Sequence, residues 1–115
     1  MEARGTDAAP NQVCDATVLG DVQVHHNAAP IQIGSSSLSS CGGNVVVSNL
    51  EVHNNTGSTS IIGNVVDGNL HDHDNSGPTE LFDNTVTQDL QCENNTAITG
   101  GMNSADQKQG QCVAF

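Results

Sequence analysis

The 115-residue sequence contains no tryptophan and no tyrosine, and Phe82 and Phe115 are its only aromatic residues. A domain of this length has room for one modest core, usually closed by bulky side chains. With apolar residues at 35%, a single central core of the ordinary globular kind is poorly provided for. Basic residues are almost missing too. Arg4 and Lys108 face thirteen acids, for a formal net charge of -11. Neither belongs to a basic patch, which argues against a nucleic acid or an anionic membrane surface as partner. No apolar run approaches the length of a membrane-spanning helix, so no membrane insertion is expected. A G-x-S-x-G elbow, an EF-hand loop, a G-G-x-G-x-D repeat and a C-x-x-C pair are all absent from the sequence.

What the chain does have is a repeat. Asn44 to Gly63 reads NVVVSNLEVHNNTGSTSIIG and Asn64 to Asp83 reads NVVDGNLHDHDNSGPTELFD, a period of 20 residues. A further copy, NTVTQDLQCENNTAITG, starts at Asn84, and an earlier one, VLGDVQVHHNAAPIQIG, runs from Val18 to Gly34. The earliest copy aligns when about eight residues near 35–42 are taken as an insertion.

Position-specific identity runs down the copies. Val18, Val46, Val66 and Val86 share one column, and Val22, Leu50, Leu70 and Leu90 another. Asn27, Asn55, Asn75 and Asn95 occupy a column without exception, and Asp21, Asn49, Asn69 and Asp89 a related one. Ile33, Ile61 and Leu81 form a further apolar column, which Ile98 is expected to continue after a shortened turn. Within each copy apolar residues alternate, which is strand behaviour, and Asn, Gly, Ser and Asp clusters separate the strands.

Short strands at fixed spacing, each unable to bury its own face, predict a β-solenoid in which like residues stack rung on rung. An antiparallel sandwich would need hairpin turns and gives no reason for column identity. The Asn27, Asn55, Asn75 and Asn95 column then has a role. A side-chain amide both donates and accepts, so stacked copies can form a structural ladder at the inter-strand spacing of about 4.8 Å. Left-handed solenoids are built from hexapeptides and this period is not a multiple of six, so the expected fold is an all-β, right-handed parallel β-helix.

Four cysteines, Cys14, Cys41, Cys92 and Cys112, allow three disulfide pairings, of which the sequence-local one staples each end of the chain. An even count in a small, core-poor acidic chain fits an oxidising, extracellular compartment. Met1 to Pro10 has no hydrophobic segment of signal-peptide type, so secretion implies a signal already removed. The expected organisation is a flexible leader over 1–11 and one solenoid domain of about four coils over 12–115. Residues 99–115 form its C-terminal cap, because exposed solenoid ends need covering. Asp72 falls in the inward column of Val24, Val52 and Cys92, where a carboxylate requires either a partner or an outward tilt.

The stretch NTVTQDLQCENNTAITGGMNSADQKQGQC from Asn84 resembles the C-terminal motif of small secreted actinobacterial repeat proteins of unassigned activity. Their pattern reads N-x-V-x-x-x-L-Q-C-x-x-N, followed by Gly-rich turns and a closing G-Q-C. The resemblance covers roughly residues 12–113, is most specific at LQC and GQC, and departs at Met102 to Asp106. It implies a secreted β-solenoid and carries over no catalytic residue. The fold class is also similar to pectate-lyase-like right-handed helices, many of which act on or bind polysaccharides. Such lyases need a basic residue and calcium-binding acids at the substrate, and this chain offers only Arg4 and Lys108.

Two ions suit the residue types present. His25, His53 and His73 share a column with Glu93 beyond them, His26 and His71 lie nearby, and Asp74 flanks His73, so a transition metal on His25, His53, His73 and Asp74 is one candidate. Calcium among Asp67, Asp72, Asp74, Asp83 and Asp89 is the other. Neither cofactor is demanded by a motif. Aligned Thr59 and Thr79, and Thr56 with Thr96 interrupted by Ser76, suggest at most a broken threonine file of the ice-binding kind.

The expected function is therefore that of a non-catalytic, secreted or cell-surface structural solenoid, with itself as a partner through self-assembly. The alternatives are a polysaccharide-binding module, with extracellular polysaccharide as partner, and a degenerate polysaccharide lyase or hydrolase.

Overall fold

β-branched and aliphatic pairs separated by Asn-, Gly- and Asp-rich corners are the material of a coil that turns three times per repeat. A computed structural model describes residues 2–3, 11–35 and 41–115 and is a right-handed parallel β-solenoid with coils of about 20 residues. Strands β1 (Glu2–Ala3) and β2 (Asn11–Val13) precede the first full coil of β3 (Thr17–Val18), β4 (Val22–His25) and β5 (Ile31–Ile33). The second coil holds β6 (Val45–Val46), β7 (Leu50–His53) and β8 (Thr59–Ile62), and the third β9 (Val65–Val66), β10 (Leu70–His73) and β11 (Pro78–Phe82). A fourth contains β12 (Thr85–Val86), β13 (Asp89–Glu93) and β14 (Ala97–Gly101), and β15 (Gln107–Gly110) begins another turn. Stacking gathers these into three parallel sheets, ordered β1-β4-β7-β10-β13-β15, β2-β5-β8-β11-β14 and β3-β6-β9-β12.

Register follows the sequence columns, with Val22, Leu50, Leu70 and Leu90 paired in succession. Asn27 and Asn55 are 28 residues apart and Asn55 and Asn75 are 20 apart, so the first spacing carries the insertion. Residues 36–40 of that insertion lie outside the described residues. Within the leader segment, Glu2 and Ala3 pair in parallel with Gln23 and Val24, so that stretch contributes a strand. Residues 1 and 4–10 lie outside the described residues.

Two of the three corners are built on the same dipeptide logic. His26, Asn54, Asp74 and Asn94 have φ between 54° and 57°, the left-handed region that Asn, Asp and His tolerate best, and each is followed by a ladder asparagine. The backbone N–H and Nδ2 of Asn55 both donate to Asn75 Oδ1, at 3.0 and 2.9 Å, while Nδ2 also donates to Val24 O. Asn27 donates to Asn55, and Asn75 to Asn95, in the same way. A second buried ladder runs through Asn44, Asn64, Asn84 and Asn103, preceded in its later coils by Gly63, Asp83 and Met102 at positive φ. The sequence columns show the repeated Asn that opens each copy but do not distinguish it from turn material. At the third corner Asn49, Asn69 and Asp89 donate their backbone N–H back to the side chains of Asp21, Asn49 and Asn69, making an exposed ladder of opposite polarity.

Inside the coils the aliphatic columns are fully enclosed, from Val24, Leu50 and Val52 through Ile61, Val66, Leu70 and Leu81 to Leu90. Thr59 and Thr79 also point inward, with hydroxyls that have no hydrogen-bond partner among the described residues. That pair is therefore no surface threonine file. Ile98 corrects another expectation. It pairs with Thr79, and Gly100 pairs with Leu81, because the last turn is shortened by a single residue. Phe115 packs against the core beside Gly100, where a Cβ would lie 2.6 Å from the ring.

The cap ends both buried ladders. Gln111 Oε1 accepts from Asn95 N and Nδ2 at 3.0 and 3.1 Å and its Nε2 donates to Asn95 O, while Phe115 O accepts from Asn103 N at 3.0 Å. Cys112 is disulfide-bonded to the inward Cys92, and Cys14 to Cys41, which is the sequence-local pairing. Closing loops of this length stabilises a chain by about 3 kcal/mol each.

Asp72 does not tilt outward. It is completely buried between Val52 and Cys92, with Oδ1 accepting from Asn75 Nδ2 at 2.8 Å and Oδ2 without a hydrogen-bond partner among the described residues. Loss of water pushes its carboxyl up to about 7, partly offset by nearby His73 and the Asn75 bond.

Two predictions follow from this interior. Asn75→Leu removes the acceptor for two Asn55 donors, so denaturant melts should show a loss of about 1–3 kcal/mol. An unchanged midpoint would remove the ladder's structural role. Asp72→Val continues the column, and Asn75 Nδ2 retains Asn95 Oδ1 and Val52 O as acceptors. Because the folded carboxyl binds its proton more tightly than the unfolded one, the wild type loses stability as pH rises from about 4 to about 7. Thermal melts should find Asp72→Val stabilised relative to wild type, with the gap widening over that interval. A constant gap would contradict the burial of a titrating acid.

Candidate functional site

Strand alternation sends residues i and i+2 to one face. On the outside of the six-stranded sheet this produces two adjoining columns, Gln23, Glu51, His71 and Gln91 in one, and His25, His53, His73 and Glu93 in the other. The rings of His25, His53 and His73 stack with centroids 5.0 and 5.1 Å apart and planes within 6°, the direct result of in-register pairing. His26 lies at the corner, edge-on to His25, with the two Nδ1 atoms 2.6 Å apart.

Carboxylates sit among these rings. Glu51 Oε1 is 3.3 Å from His53 Nε2 and 3.6 Å from His73 Nε2. His73 Nδ1 bonds Asp74 Oδ2 at 2.8 Å, and Asn54 Nδ2 donates to His53 Nδ1 at 3.0 Å. His71 stacks on His73 at 4.2 Å, and its Nε2, shielded from solvent, has no hydrogen bond among the described residues and lies 3.6 Å from Glu93 Oε1. Glu93 Oε1 in turn accepts from Gln91 Nε2. The His73 bond, with help from Asn94, holds Asp74 below the ordinary carboxylate range.

His25, His53 and His73 thus form the stack, and Asp74 touches only its last member. The tightest convergence of metal-ligating atoms among the described residues is a different set, Glu51, His71 and His73, whose ligand atoms all lie within 4.8 Å of one another. Reading down columns missed Glu51 and put His71 only nearby, because both belong to the neighbouring column. The signal was present as the i, i+2 pairs Glu51–His53 and His71–His73. The five aspartates considered for calcium are dispersed. Asp72 is buried inside, Asp74 and Asp83 are at different corners, Asp89 is on the exposed ladder, and Asp67 follows β9.

Beside the first column lies a shallow groove of about 250 Å³, bounded by Asn49, Asn69 and Asp89 of the exposed ladder and by Glu51, His71 and Gln91. Its chemistry is that of amides, carboxylates and one imidazole, suited to hydrogen-bonding a polar ligand along the solenoid axis. Comparison with protein-family models, curated proteins and solved structures finds no match.

His53 sits centrally in the stack. Partial burial lowers its pKa from 6.5, Glu51 opposes the shift, and His73, His25 and His26 add to it. Ring titration followed by NMR should place His53 below 6.5, and Glu51→Gln should lower it further. A rise on removing Glu51 would contradict the contact.

Proposed function

We propose that this protein is a non-catalytic, secreted or surface-associated solenoid that works by displaying its outer face. The observation that carries the reading is the filled interior. Stacked aliphatic columns and two buried amide ladders occupy the axis through four coils, leaving function to the surface. Support for an extracellular setting comes from four cysteines joined in two disulfides and from the resemblance of the LQC and GQC elements to secreted repeat proteins.

Extracellular polysaccharide is the partner this face suits best. Sugar hydroxyls match the amide and carboxylate rim of the groove, and the axis of repeated groups matches a linear polymer. Self-assembly is the second reading, favoured by regular parallel edges. Stacking on the C-terminal end would displace Gln111 and Phe115 from the ladder ends they occupy. A lyase of the pectate-lyase kind would want a lysine or arginine beside the groove, and the one lysine, Lys108, is in register with Leu90 at the terminal coil.

Co-sedimentation with insoluble cell-wall and plant polysaccharides, alongside light scattering over a concentration series, tests these readings. Binding lost in Gln91→Ala but kept in Glu80→Ala, with a monomer throughout, is the expected result. Filaments growing with concentration would transfer the role to assembly. Release of reducing ends or unsaturated products would overturn the non-catalytic reading.

A further inference from the structure

The third coil breaks the repeat in one strand. Where β7 reads LEVH and β13 reads DLQCE, β10 reads LHDH and is followed by Asp74. It is the strand that places two imidazoles on one face two residues apart, a spacing that lets both reach a common ion.

We propose that Glu51, His71 and His73 bind one borderline divalent transition-metal ion, of the Ni²⁺, Cu²⁺ and Zn²⁺ group, on the outer face of β10. Hydrogen-bond logic sets the tautomers. Asn54 donates to His53 Nδ1, which leaves the His53 proton on Nε2 to be donated to Glu51. Asp74 accepts from His73 Nδ1, so in the neutral ring the lone pair is on Nε2, which lies 3.6 Å from Glu51 Oε1. That separation is close to the edge of about 3.4 Å that bonds of about 2.0–2.1 Å subtend around a tetrahedral ion.

His71 completes the set. Its ring stacks on His73, and its Nε2 is shielded from water without a hydrogen bond, beside Glu93. The 4.8 Å span of the three ligand atoms contracts to bonding distance by side-chain rotation, since Glu51 and His71 are both partly exposed. Asp74 is a positioning residue, the carboxylate behind a ligating histidine that fixes its ring and raises its basicity. Two imidazoles and one carboxylate favour these ions over calcium or magnesium, which prefer all-oxygen shells. This inference does not depend on the polysaccharide reading.

Isothermal titration of the oxidised chain with Zn²⁺ near neutral pH is the test, in the presence of excess Ca²⁺ and Mg²⁺. One saturable equivalent is expected, lost in His71→Gln and in Glu51→Gln. Asp74→Asn should weaken it by about 10–100-fold, and the corner should tolerate the change because Asn54 and Asn94 hold the same conformation in neighbouring coils. His26→Asn, at the same corner position but outside the set, should leave affinity unchanged. In wild-type protein the ring signals of His71 and His73 should shift with Zn²⁺ while those of His26 stay, a readout that needs no variant to fold. Absence of saturable binding, several weak equivalents, survival of binding in His71→Gln, or a loss in His26→Asn equal to that in Asp74→Asn would each overturn the assignment.

Discussion

A coil that bends sharply at three corners must do so without stranding buried backbone amides, and this solenoid meets the requirement with asparagine. At two corners the N–H that has lost its sheet partner is taken up by the side-chain oxygen of the next coil, whose own amide group then reaches back to a carbonyl of an earlier coil. Each asparagine therefore completes a neighbour's hydrogen bonding as well as its own. A buried, unpaired amide would be worth about 1–3 kcal/mol of instability, so four such residues per ladder outweigh any single apolar contact. The preceding left-handed residue supplies the turn, and the pair of them recurs as His-Asn, Asn-Asn, Asp-Asn and Gly-Asn.

Column identity, core composition and cap design all descend from that arrangement. Once the corners lock the register, aliphatic residues stack on their equivalents, and two phenylalanines suffice for the whole chain. Phe115 lies against the core at the end coil beside Gly100. The cap must terminate hydrogen-bond ladders as well as cover apolar surface. Gln111, adjacent to Cys112, gives the G-Q-C sequence a physical meaning, because the glutamine closes the amide ladder and the cysteine anchors it to the core through Cys92.

Among the described residues, the one buried acid and two of the three side chains in the tightest group of metal-ligating atoms occur in the same strand. Asp72 faces inward while His71 and His73 face outward from either side of it, so β10 departs from the repeat on both of its faces. A repeat selected only for stacking would have kept a hydrophobic residue at position 72.

Much of this was legible beforehand. The period of 20, the alternation of Val and Leu and the exceptionless Asn27, Asn55, Asn75 and Asn95 column determine a stacked parallel solenoid, because only vertical stacking rewards identity at a fixed offset. The columns also place Asp72 in the inward file but leave its tilt open, and four cysteines leave three pairings open until the fold joins Cys14 to Cys41 and Cys92 to Cys112. Tertiary structure alone decided that the opening Asn44, Asn64 and Asn84 form a second buried ladder, since a turn-forming and a ladder-forming asparagine look alike in one dimension. It also decided that Ile98 aligns with Thr79, a question of a single residue in a turn. The convergence of Glu51 with His71 and His73 belongs to the same category. It links neighbouring columns across adjacent coils, and the distance between columns is set by side-chain rotamers on a folded sheet, which no spacing in the chain encodes.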